Sequence, residues 1–297
     1  MEPIAGKRTQ ICDLPVEVLE MIFDHLAVSD LKNASLVSRL WSNCAFSSQR
    51  MERVRLKIDY CLKEPEDYLM LFNESKRQYR HVLLAYSSEE LVLEHFIQLL
   101  QNFKRYVKSL KIRPNMCIGV SQLRDILLEV PNLKALSVHS RLWNSSDTQD
   151  APFQQFPMLA QLSDLVLESD MALQLEEFDV RLIAPNLRSL DMDCDSQRAL
   201  EAYKHFSDQL TTIAVFFKND DYFLRFCEVN FPNLCKIDFY SDDDQFRDNE
   251  AVRTIAAFFA RLKRLQHATL RSNITQPIVD GLVGNCLDLS YLHIKTE

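Results

Sequence analysis

One apolar pattern returns through most of this 297-residue chain and restricts its fold more than any single residue does. It reads apolar, two residues, apolar, one residue, apolar. Copies start at Met51, Tyr79, Val107, Leu133, Leu162, Leu187, Leu210, Leu234, Leu265 and Leu289. In the clearest copies Leu187 is followed by Leu190 and Met192, and Leu210 by Ile213 and Val215. Successive starts are separated by about 26 residues on average, a period that belongs to stacked repeat units. The alternation that closes each copy marks a short strand with one buried face. A unit of this size cannot bury that face alone, so neighbours must stack to make a core. The expectation is one strand per unit, with helical returns between strands.

Several landmarks hold the phase. Pro131-Asn132-Leu133, Pro185-Asn186-Leu187 and Pro232-Asn233-Leu234 occur at the same place in their units, where proline stops a helix and delivers the chain to a strand. Leu159 is a competing start three residues before Leu162. Helical spacing appears in Leu91 to Phe103 (Val92, Phe96, Leu99, Phe103) and in Ala251 to Leu262 (Val252, Ile255, Phe259, Leu262). The arrangement resembles the leucine-rich repeat, whose period is about 20–29 residues. That resemblance implies an α/β solenoid with a curved parallel sheet inside and helices outside, over residues 51–297. It also implies an asparagine near the eighth residue past each start, bonding backbone along the stack. Asn115 and Asn273 hold that place, and Asp170, Asp195 and Asp242 do in other copies. A capping unit is expected to close such a stack, and none is visible after Ile294.

Residues 12–50 follow a different rule. Leu19, Ile22, Phe23 and Leu26 make one apolar helix face, and Val37, Leu40, Trp41 and Cys44 make another. Pro15 fits the first helical position, and Ser29-Asp30 can cap a short helix between the two. Leu14, Val18, Leu31 and Leu36 add apolar surface beyond a single stripe. Surplus of this kind calls for a protein partner or for packing on the next domain. The stretch resembles an F-box through Leu14-Pro15, Glu17, Leu19, Ile22-Phe23, Leu26, Asp30-Leu31, Val37-Ser38-Arg39 and Trp41. The resemblance implies three helices that bind the Skp adaptor of a Skp–cullin–F-box ubiquitin ligase. Leu14, Pro15, Leu19, Ile22, Phe23 and Leu31 would hold the adaptor or support the surface that does, with Trp41 anchoring the unit. Arg50-Met51 carries no Gly, Pro or Ser-rich linker, so a stiff joint to the repeats is expected.

Chemistry is constrained mostly by what is missing. Four glycines cannot build a phosphate loop or a dinucleotide fingerprint, and Gly281 to Gly284 reads as a relaxed helix end. The eight cysteines and seven histidines show no zinc spacing, so no metal, cofactor or intrinsic enzyme activity is expected. Scattered cysteines without Cys-x-x-Cys read as reduced thiols of a cytoplasmic or nuclear protein. A formal net charge of −8 disfavours nucleic acid as the main partner, and no apolar run is long enough for a membrane span.

Counting two, four and six residues past each start gives the side chains on the exposed face of the sheet. Early units place Arg53, Arg55, Lys57, Lys111 and Arg113 there, middle units Asp164, Glu168, Asp191, Asp193 and Asp238 with Phe216 and Tyr240, and late units His267, Arg271, Tyr291, His293 and Lys295. Such charge is solubilising in many proteins. Adjacent aromatics among carboxylates also suit a partner segment with apolar and basic residues. The expected substrate site is therefore Asp191, Asp193, Phe216, Asp238 and Tyr240, with Asp242 to Asp244 at its edge. The family resemblance implies that the chain is a substrate receptor. An interaction scaffold outside any ligase is the alternative.

Overall fold

The computed structural model describes residues 11, 14–59, 70, 72, 75, 77–85, 93–113, 117–139, 141–143, 155–167, 178–217, 220–241, 249–271 and 276–295. Three helices come first: α1 (Val16–Asp24), α2 (Val28–Ala34) and α3 (Arg39–Ala45). Pro15 occupies the N-cap of α1 rather than its first turn. Asp30 lies inside α2, whose N-cap is Ala27, so Ser29-Asp30 does not cap that helix as expected. Ser38 caps α3 by accepting the Trp41 backbone N–H at 3.2 Å.

The strands are β1 (Arg55–Asp59), β2 (His81–Ala85), β3 (Ser109–Ile112), β4 (Cys117–Gly119), β5 (Ala135–Val138), β6 (Arg141–Trp143), β7 (Asp164–Leu167), β8 (Ser189–Met192), β9 (Thr212–Phe217), β10 (Lys236–Ser241), β11 (His267–Arg271) and β12 (Tyr291–Lys295). Ten form one parallel sheet in the order β1-β2-β3-β5-β7-β8-β9-β10-β11-β12. From β2 onward each of these ten begins two residues after its sequence-pattern start, and Leu162 rather than Leu159 sets the phase of β7. The short parallel pair β4–β6 lies outside that pattern.

The sheet is in register throughout. Ser109, Ala135, Asp164, Ser189, Thr212, Lys236, His267 and Tyr291 stand side by side on successive strands. Differences in unit length are therefore absorbed by the returns between strands. Leu187, Leu190 and Met192, like Leu210, Ile213 and Val215, are buried in one continuous core beneath the sheet. Helices Leu93–Phe103, Val120–Leu128, Gln197–Phe206, Asp220–Cys227, Asn249–Arg261 and Gln276–Asn285 supply much of the opposing layer. Phe226 sits among four rings of that layer, with centroids 5.1 Å from Tyr203, 5.1 Å from Phe217, 5.4 Å from Phe231 and 5.7 Å from Phe258. Gly281 lies inside helix Gln276–Asn285 rather than at its end, and an added Cβ would make ordinary contact with Ala256 at 3.4 Å.

Asn115, Asn273, Asp170 and Asp242, the positions expected to bond along the stack, lie outside the described residues, as do Leu91, Val92, Glu168, Asp243 and Asp244. Among the described residues, bonding along the stack runs through the residue just before several of the pattern starts. Asn132, Asn186 and Asn233 donate Nδ2 to the carbonyls of Arg105 (3.4 Å), Ala160 (2.9 Å) and Asp208 (2.7 Å), each one unit back. Gln209 does the same to the Pro185 carbonyl at 3.1 Å, and Arg264 donates to Asn233 Oδ1 at 2.8 Å. The asparagine and glutamine side chains satisfy backbone acceptors that a parallel stack leaves open at the turns into these strands.

Candidate functional site

Two surfaces and the joint between them carry the functional argument. On α1, Leu19 and Phe23 are buried while Val18, Met21 and Ile22 are exposed. Positions 18, 21 and 22 share a helix face by their i, i+3, i+4 spacing. Beyond α2, Leu36 is 82% exposed and Val37 59%, and Leu40 on α3 is also exposed. The small core beneath them holds Phe23, Leu31, Ala34, Cys44 and Ala45, with Trp41 edge-on to Phe23 at 5.3 Å. Of the six expected adaptor residues, Leu19, Phe23 and Leu31 are interior and can only support a surface. Pro15 and Ile22 reach it, and Leu14 is half-buried.

The joint is built on Arg50, only 3% exposed. Its guanidinium donates to the Cys44 carbonyl at 2.7 Å, to Ser47 Oγ at 3.1 Å and to the Glu20 carbonyl, and it meets Asp24 Oδ1 at 2.8 Å. Arg53 adds bonds to the carbonyls of Asp24 (3.0 Å) and Leu26 (2.9 Å). Two cations thus cover the C-terminal end of α1, where carbonyls lack partners and the helix dipole is negative. This corrects the placement of Arg53 on the sheet face: β1 begins only at Arg55, and Arg53 is spent on α1. Phe46 packs against both the small helical core and the core of the sheet, and the Arg77 guanidinium lies 3.7 Å from its ring centroid.

Glu52 completes the joint by accepting from Arg80 and, at 3.2 Å, from Lys108. The Lys108 hydrogen bond, its charge and Arg80 hold this carboxyl below its ordinary value of 4.5. A carboxylate depressed by folding adds stability above its ordinary value and loses it as pH falls through the lowered one. Glu52→Gln should therefore lower the Tm slightly at pH 7 and by a smaller amount at an acidic pH, as the wild-type carboxyl becomes protonated in its turn. Thermal melts of both proteins at the two pH values check this, and an equal decrement at both would contradict it.

On the exposed face of the sheet, the register sets Asp191 beside Ala214 and Ala214 beside Asp238, and pairs Phe216 with Tyr240 and Tyr240 with Arg271. The Cys194 N–H bonds the Phe216 carbonyl at 2.9 Å, which brings Asp193 level with Phe216. Four of the five expected substrate residues thus lie on three consecutive strands, and Asp193 immediately follows the first of them. Two of them have partners that the sequence reading did not assign. Asp238 pairs with Lys236 Nζ at 3.0 Å, and the Arg271 guanidinium lies 4.7 Å from the Tyr240 ring centroid. Burial and then Asp238 raise the Tyr240 hydroxyl above its ordinary value, so it stays protonated as a donor at neutral pH. Lys236 was findable, because it sits two residues past the start at Leu234.

A cavity of about 190 Å³ opens beside helix Gln197–Phe206, but its rim charges are mutually engaged: Arg181 bonds Asp179 at 2.8 Å and stands 3.9 Å from Glu201. Among the described residues no cluster of His, Cys, Asp or Glu is placed to hold a metal ion. Cys44, Cys194, Cys227 and Cys286 are buried free thiols, and burial pushes each of them up in pKa. No helix among the described residues is long and apolar enough to cross a membrane.

The F-box-like family profile matches residues 11–57, which takes in all three helices, the Arg50 joint and the first residues of β1. Among solved structures, the chain is similar to one in the crystal structure of the Rad7 and Elc1 complex in yeast. That likeness has 14% identity and a TM-score of 0.47, over 93% of this chain and 75% of the other. No curated protein sequence matches the chain.

Proposed function

We propose that this chain is a substrate receptor of a Skp–cullin–F-box ubiquitin ligase, with its F-box-like helices docked on the Skp adaptor. In this reading the parallel sheet is a leucine-rich-repeat solenoid whose exposed face holds a protein substrate. Catalysis belongs to other subunits, and this chain contributes proximity and orientation, which can be worth several kcal/mol of barrier. The observation that carries the reading is the coincidence of the F-box-like match with a small helical unit that exposes Val18, Met21, Ile22, Leu36 and Val37. An apolar face of that size on so small a unit suits a protein partner.

The test is adaptor binding by calorimetry. Leu14→Ala with Pro15→Ala removes the entry to α1, and Ile22→Asp with Leu36→Asp places charge on its apolar surface. Each pair should weaken adaptor binding at least about tenfold, the cost of roughly 1.4 kcal/mol. Both should leave the melting of the sheet intact. Wild-type affinity in both would remove the assignment. Co-purification of cullin with the tagged wild-type chain is expected alongside, and its absence would leave an adaptor-binding scaffold without a ligase.

A further inference from the structure

The exposed sheet face turns cationic towards β12, and this bears on what it can hold. Three side-chain rows cross β10, β11 and β12: Lys236, His267 and Tyr291; Asp238, Thr269 and His293; Tyr240, Arg271 and Lys295. His267, Arg271, Tyr291, His293 and Lys295 are exposed, and Tyr240 and Thr269 are half-buried. Among the described residues Asp238 is the one carboxylate in these rows, and Lys236 Nζ holds it at 3.0 Å. Arg271 and Lys295 therefore set two neighbouring positive charges on a chain whose formal net charge is −8. The Arg271 guanidinium lies 4.7 Å from the Tyr240 ring centroid. Contact with a ring uses the π face of a guanidinium and leaves its in-plane N–H donors for an anion. The Tyr291 ring lies between two imidazoles, with centroids 6.0 Å from His267 and 6.4 Å from His293.

We infer that β10 to β12 hold an acidic, extended polypeptide segment running along the strands. One of its carboxylates sits on Arg271 and Lys295. A second, two residues away, sits on Thr269 and His293, and an aromatic side chain two residues further on packs against Tyr291 and His267. This rests on the proposed reading that a protein partner lies on the exposed face, and it gives that partner's chemistry. The dimensions agree. Successive rows are two residues apart, about 6.6 Å, which is also the spacing of alternate side chains in an extended ligand, so each row meets one of them. Neighbouring strands are about 4.8 Å apart, so one carboxylate fits between the two cations. The Thr269 hydroxyl and an imidazole N–H supply donors for the other. A lysine-bearing segment would meet like charge at the same place and be rejected.

The probes are seven-residue peptides blocked at both termini and carrying an uncharged fluorophore. All have Phe at position six. One has Glu at positions two and four, one has Gln in both places and one has Lys in both. A fourth has Glu at positions two and three, whose carboxylates leave an extended chain on opposite sides. Anisotropy titrations on the full chain at low salt should place the alternating Glu peptide at least about fivefold tighter than each of the others. Arg271→Glu with Lys295→Glu should transfer first place to the Lys peptide. That is a gain of preference, which a misfolded variant cannot mimic. First place for the Gln or Lys peptide on the wild type would overturn the inference, as would equal affinity for the two Glu spacings. So would a rank order unmoved by the double reversal, no binding above the Gln control, or tighter binding of a single-stranded oligothymidine of the same length. The underlying reading is tested apart from this by a photo-crosslinker at Ala214 in cell extract. Captured protein at that position with unselective peptides sinks only the acidic segment, whereas capture exclusively from crosslinkers on the helical side sinks the location itself.

Discussion

Phe226→Ala should be the most damaging single substitution in the repeat region, costing about 3–5 kcal/mol. The ring is fully buried and touches aromatics from three consecutive units: Tyr203 on helix Gln197–Phe206, Phe217 on β9 and Phe231 in its own unit, and Phe258 in the next return. Edge-to-face pairs add to the area term, and a cavity among rigid rings collapses poorly. In a stack where each unit is held only by its neighbours, the loss should be regional. Hydrogen exchange should accelerate from β8 to β12 while β2, β3 and β5 keep their protection. Uniform acceleration along the whole sheet would mean that the stack unfolds as one body.

Arg50→Met should cost about 3 kcal/mol, and its signature should differ. Methionine retains much of the arginine stem's volume but strands the Cys44 and Glu20 carbonyls and releases Asp24. A buried acceptor left without its donor costs about 1–3 kcal/mol, and bonds to charged groups lie at the high end. Glu20 and Asp24 are half exposed and can be rehydrated, which keeps the loss below that of a fully buried ion pair. Because Arg50 bonds α1 and α3 where the chain enters β1, the helical unit should melt separately from the sheet. Circular dichroism should then show a minor early transition, and small-angle scattering a broader distribution of orientations. One cooperative transition at nearly wild-type Tm would show that Phe46 and Glu52 hold the joint without Arg50.

The strand positions were legible because the sheet's core rows are aliphatic almost without interruption. A pattern such as Leu234, Ile237, Phe239 can be read only one way once its period is known. The first unit is the exception: Met51 is buried as expected, yet it sits in the turn Arg50–Glu52, and the strand waits until Arg55. Local sequence carries no sign that Arg50 will be buried or that Arg53 will reach back to α1, because arginine is ordinarily a surface residue and only tertiary contact decides otherwise. The short pair β4–β6 was invisible for another reason, since three residues are too few to show an alternation. On the exposed face, counting alone put Asp191, Phe216, Asp238 and Tyr240 on neighbouring strands, with Asp193 just past the end of β8. What counting could not supply was the electrostatics, because Asp238 with Lys236 and Tyr240 with Arg271 are decided by reach between side chains.

The in-register ladder from β2 to β12 makes the sheet nearly identical to itself after a shift by one strand. A backbone lying across it meets the same corrugation, about every 4.8 Å, wherever it lands. Geometry alone would let a bound segment creep sideways, much as a vernier slides along its scale. What arrests that sliding is lack of repetition in the side chains: Phe216 beside Tyr240 occurs at one place, with Asp191 on one flank and Arg271 on the other. Erasing those few side chains should blur where a ligand sits before it abolishes binding.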